Sequence, residues 1–200
     1  MRALYRSILW IGLMLIPLFS QSYVLQNQGN ILSPKSIGFI EQLSQELFEK
    51  TGVALYVAVA DNLEGGGDAK EVRKEWKQNL LQSLSSPYGV IFLVKSHKKI
   101  DIVLQPQIKG IDSDEIITEY MVPILMQEKG LPNPKVSASI LNGYAQLADE
   151  IAEHYHQSLQ NNLIVDKSGS RNLVRYSIYL MLGIMFTIIA LIYVFGRKKK

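Results

Sequence analysis

Tyr176 to Phe195 is a run of 20 residues without a formal charge. At a 1.5 Å rise per residue, a helix of that length reaches about 30 Å, the thickness of a bilayer's hydrocarbon core. A helix buried in a globular domain normally carries a polar face, whereas here only Ser177, Gly183 and Thr187 interrupt the apolar surface. The run therefore reads as a transmembrane helix. Tyr176, Tyr179 and Tyr193 lie near its ends, where amphipathic rings favour the headgroup region. Arg197, Lys198, Lys199 and Lys200 follow it directly, and basic flanks are retained in the cytoplasm, so the bulk of the chain is expected to face outward.

The other end of the chain predicts the same topology. Arg2 and Arg6 form a basic start, Ile8 to Phe19 an apolar stretch, and Ser20-Gln21-Ser22 supplies small residues at a signal-peptidase spacing. Cleavage is expected after Ser22. The expected organisation is then a signal peptide at 1–22, an exported domain at 23–160, a tether at 161–175, a transmembrane helix at 176–195 and a basic cytoplasmic tail at 196–200. The location this predicts is the inner membrane, with the domain in the periplasm or its equivalent.

Charge has to be read on the exported part alone, because the basic excess sits in the signal, the membrane flanks and the tail. Residues 23–170 hold 13 Lys or Arg against all 18 Asp or Glu, a net charge of −5. Such a surface disfavours nucleic acid as a partner. Cysteine is absent, which excludes disulfides and thiolate metal sites. Stability must come from an ordinary core, and a domain of this length can bury roughly two-thirds of its unfolded surface.

Within the domain, Ser33-Pro34 marks a helix start, a hydroxyl cap followed by proline at the first helical position. The helix runs to Lys50 and is ended by Gly52. Val53 to Ala60 is almost entirely apolar, the pattern of a strand covered on both faces. Asn62 to Asp68, containing Gly65-Gly66-Gly67, reads as a loop, and a second helix spans Ala69 to Leu84 with Trp76 on its core face. Gly89 to Lys95 and Ile100 to Leu104 predict a β-hairpin. Asp112 to Glu115 opens a third helix kinked by Pro123, and Pro134 begins a long fourth. The fold class expected is α/β, a three-layer helix–sheet–helix sandwich on a small mixed sheet, plus the C-terminal transmembrane helix.

Several local words, in this order, resemble the TPM domain family: Ile31-Leu32-Ser33-Pro34, Lys50-Thr51-Gly52, Trp76, Gly89-Val90-Ile91-Phe92-Leu93-Val94, and Ile116-Ile117 with Pro123. The resemblance covers about Val24 to Tyr155. It implies an exported domain followed by a membrane helix and basic residues, with relatives described either as acid phosphatases and calcium binders or as assembly, repair and auxiliary factors of membrane complexes. The chain departs from the pattern at Asn27 and at Pro87-Tyr88, where relatives often carry carboxylates. A hard cation needs several oxygen ligands, so these losses weaken any Ca²⁺ or Mg²⁺ site.

Three carboxylates remain as candidate metal ligands. Asp61 ends a buried strand, where open α/β sheets place ligands, although Asp followed by Asn is also a good turn former. Asp112 and Asp114 match the acidic segment of the family after Gly110, although helix capping is the simpler account of them. His97 lies in a hairpin turn, while His154 and His156 are too closely spaced on a helix to share one metal. No nucleophile elbow or Ser-His-Asp set can be assembled. The function expected is therefore a non-enzymatic accessory, assembly or quality-control factor for envelope protein complexes, with membrane and envelope proteins as partners. The alternative is a divalent-metal-dependent phosphatase using Asp61, Asp112 and Asp114.

Overall fold

The Ser33 hydroxyl accepts the backbone N–H of Ser36 at 3.1 Å, and Pro34 follows at the first position of α1 (Pro34–Thr51), which Gly52 closes at φ +74°. Both ends therefore follow the sequence reading. This computed structural model describes residues 22–63, 68–126 and 130–162, with Met181, Leu182 and Met185 besides. The Gly65-Gly66-Gly67 loop, the export segment through Gln21 and all but those three residues of 176–195 lie outside the described residues. Among the described residues no helix is long and apolar enough to cross a membrane. The chain divides into two units, Met1–Leu163 and Ile164–Lys200, and the first holds every element that follows.

Four strands form one mixed sheet in the order β1 (Val24–Asn27), β2 (Ala54–Ala60), β3 (Tyr88–Val94) and β4 (Lys99–Gln105). β1, β2 and β3 run parallel, and β4 returns antiparallel to β3 with Tyr88 opposite Gln105 and Val94 opposite Lys99. All seven residues of β2 are buried, as its unbroken apolar pattern requires. The hairpin appears at its expected place, whereas β1 is an additional strand.

Helices lie against both faces of the sheet. Adjacent strand residues point opposite ways. Phe92 meets Trp76 of α2 (Ala69–Leu81) edge to face at 5.3 Å, while Leu93 turns toward Ile117 and Val136 on the other side. The third helical stretch, α3, opens as one α-turn at Ser113–Glu115, widens into a π-helix at Ile116–Met121 and returns to α at Val122–Met126. Proline does explain a distortion here, although it falls one turn earlier than a kink at Pro123 itself. Pro123 has no N–H and its ring crowds the carbonyl four residues back, and the wider turn relieves that conflict.

The last helix, α4 (Asn133–His154), ties α1 to the sheet. Ser36 and Ser137 share a 2.9 Å hydrogen bond, and the Tyr144 hydroxyl, fully buried, bonds to Ser44 and donates to the Leu55 carbonyl of β2. Burial, with the nearby Glu41 carboxylate, pushes the Tyr144 phenol well above its ordinary range, so it remains the donor that the Leu55 carbonyl needs. Tyr144→Phe leaves these buried groups short of a partner and is expected to cost about 1–3 kcal/mol in urea unfolding. An unchanged midpoint would refute that role.

Beyond α4, the start of the expected tether is held to the domain. Glu46 of α1 accepts the backbone N–H groups of Gln160 and Asn161 at 2.7 and 2.9 Å, and Asn162 donates to the Ala145 carbonyl.

Candidate functional site

β2 and β3 end side by side, and their ladder continues past the strands: Lys95 N–H donates to the Ala60 carbonyl and Ser96 N–H to the Asp61 carbonyl, each at 2.9 Å. This fixes Asp61 next to Lys95. The Lys95 ammonium lies 3.0 Å from Asp61 Oδ1 and also donates to Asn133 Oδ1 at 2.8 Å. Asn133 in turn donates to the Gly29 carbonyl at 2.9 Å. Gly29 sits at φ +75°, and a Cβ there would fall 2.8 Å from Asp61 Cβ, so only glycine permits this approach. Asp61, though its side chain is half exposed, is thus held and ion-paired where the β1 loop, β2, β3 and α4 meet.

Beside that cluster a hollow of about 970 Å³ opens between the sheet and α3. Leu93 and Ile100 line its sheet side, Ile117, Val122 and Leu125 its helical side, and Leu131 and Val136 complete the lining on either side of Asn133. Polar groups gather at the mouth: Asp61 and Asn62 after β2, and Lys95, Ser96, Lys98 and Lys99 around the hairpin turn. The Ser96 hydroxyl donates to Asn62 Oδ1 at 3.0 Å. Lys98 holds φ +49° in that turn, a conformation glycine or asparagine adopts with less strain. His97, in the hairpin turn, is half-buried with Arg73 Nη1 at 3.2 Å from its Nδ1.

The other two candidate carboxylates lie elsewhere. β4 runs back across the sheet, so Asp112 follows from the end opposite Asp61, and a strand of seven residues separates those ends by roughly 20 Å. Asp112 Oδ1 accepts the N–H groups of Asp114 and Glu115 at 3.0 and 3.2 Å, capping the first turn of α3. It lines a separate hollow of about 400 Å³ with Glu115, Glu150 and Glu153. Asp68 caps α2, its side chain accepting the Lys70 N–H. Among the described residues no three His, Cys, Asp or Glu side chains are grouped to hold a metal ion. Asp61, Asp112 and Asp114 as placed therefore do not fit a shared Ca²⁺ or Mg²⁺ site.

Sequence reasoning passed over Lys95, Asn133 and Gly29. A signal for Lys95 was present: once two parallel strands are neighbours, the residues just past their ends are neighbours too, and an Asp–Lys pair there is readable. Gly29 and Asn133 are joined to Asp61 by tertiary folding alone.

None of the curated proteins compared matches the chain. A model of the TPM domain matches residues 25–133, from within β1 to the first residue of α4. That match spans more than half of the 200 residues and takes in the sheet except its first residue, Val24, together with the hollow's sheet and α3 walls. The order of words legible in the sequence and the fold they build thus agree with it, and the chain belongs to the TPM domain family.

Proposed function

We propose that this chain is an exported, membrane-anchored accessory protein of envelope complexes, whose TPM domain binds a partner without chemically transforming it. The observation that supports this most is the hollow beside Asp61: its walls are aliphatic, its polar groups lie at the mouth, and Asp61, the one carboxylate among its described lining residues, is engaged by Lys95. That is the make-up of a binding pocket, in which apolar walls supply affinity and a few polar groups supply orientation. The charge-free run at 176–195 and the basic tail after it support the anchor.

Purification of the full chain from native membranes in mild detergent is expected to recover the same companion proteins repeatedly; recovery of the chain alone in every preparation would count against the reading. Protease added to intact spheroplasts should digest the domain and spare the lysine tail. The rival, a metal-dependent phosphatase, requires carboxylates now at opposite ends of the sheet to act together. Phosphomonoester hydrolysis that depends on a divalent metal and is lost in both Asp61→Ala and Asp112→Ala would establish it in place of the accessory role.

A further inference from the structure

We infer that the hollow between the sheet and α3 takes an aliphatic chain bearing an anionic head group, carboxylate or phosphate, with the chain between the walls and the head at Lys98 and Lys99. The inference rests on the binding reading above and names the chemistry of its ligand.

Three observations carry it. The interior is walled by Leu93, Ile100, Ile117, Val122 and Leu125, aliphatic side chains from three elements. An alkyl chain needs no hydrogen bonds there, whereas a peptide would bring backbone N–H and C=O groups that these walls cannot satisfy. The volume, about 970 Å³, is at the upper end of ligand pockets. The mouth, finally, is cationic on one side. Lys95 is engaged by Asp61 and Asn133, and Lys98 and Lys99 flank it on the hairpin turn with exposed side chains.

The test uses the full chain in phosphatidylcholine nanodiscs and a dodecanoate carrying a photoreactive diazirine near its methyl end. Label is expected on Ile100, Val122 or Leu125, and unlabelled dodecanoate or dodecyl phosphate should suppress it while dodecylammonium does not. The more effective of the two anions distinguishes a fatty-acid head from a phosphoryl head. Lys98→Gly relieves the turn's backbone and so preserves the fold; it should weaken labelling about fivefold, the effect of one lysine on an anionic head, and Lys98→Arg should restore it. Label confined to residues outside the hollow, equal suppression by dodecylammonium, or undiminished labelling of Lys98→Gly would each overturn the inference. Should companion proteins copurify while no alkyl anion reaches the hollow, the ligand assignment fails and the accessory role stands; labelling of a chain always recovered alone gives the converse.

Discussion

Glu46→Ala is expected to lower the unfolding free energy of the domain by about 3 kcal/mol, the lower end for breaking a buried ion pair, and its Tm by roughly 6–12 °C. Glu46 is nine-tenths buried. Burial alone would raise its carboxyl pKa, but the Lys50 ammonium at 2.6 Å, the N–H groups of Gln160 and Asn161 and the Asn161 amide outweigh burial and bring it down to about 2. A carboxylate lowered on folding contributes stability that is complete above its ordinary range and is lost as pH falls through its folded pKa. Wild type and Glu46→Gln should therefore differ most above about pH 5 and converge toward pH 2. Urea unfolding across that range reads the effect, and equal midpoints at pH 7 would show the carboxylate to be idle.

Gly143→Val should cost about as much, by a different route. Gly143 lies in α4 where a Cβ would fall 2.4 Å from Met121 Cγ and 2.6 Å from its sulfur. Alanine at this helical site would gain roughly 1 kcal/mol of propensity over glycine, but the Met121 side chain it meets is fully enclosed and cannot simply swing aside. A branched residue overpacks the contact, and about 3 kcal/mol is expected. Because Met121 ends the π-helix that faces α4, Met121→Ala should recover part of the loss in the double variant. Purely additive losses would place the strain somewhere other than this contact.

What the sequence made legible divides by range. The ends of α1, the buried strand Ala54–Ala60, the hairpin and the start of α4 are set by near neighbours: Ser33 and Pro34, Gly52, an apolar run, a polar turn, Pro134. β1 has only four residues, too few for a period, and becomes a strand because β2 offers it an edge. The distortion of α3 was legible as a consequence of Pro123, but its form as a π-turn depends on how Ile116 and Met121 seat against α4. The candidate site was half legible. Asp61 does end its strand at the sheet's carboxyl edge, yet it is engaged by Lys95, a partner 34 residues away in the chain. The hairpin already implied that Asp112 would emerge at the far end, and treating the three aspartates as one set overlooked that reversal.

The border of the sheet at β4 has a consequence of its own. Exposed strand edges invite a second chain to pair, and natural proteins discourage this with charges turned inward and with proline. Asp101, in the middle of β4, is pinned over the sheet by Lys77 at 3.2 Å, and Pro106 follows Gln105 without an N–H to extend the ladder. The opposite border offers only the four residues of β1. Neither border of the sheet therefore offers a second copy of the domain a long, uncharged strand on which to extend the ladder.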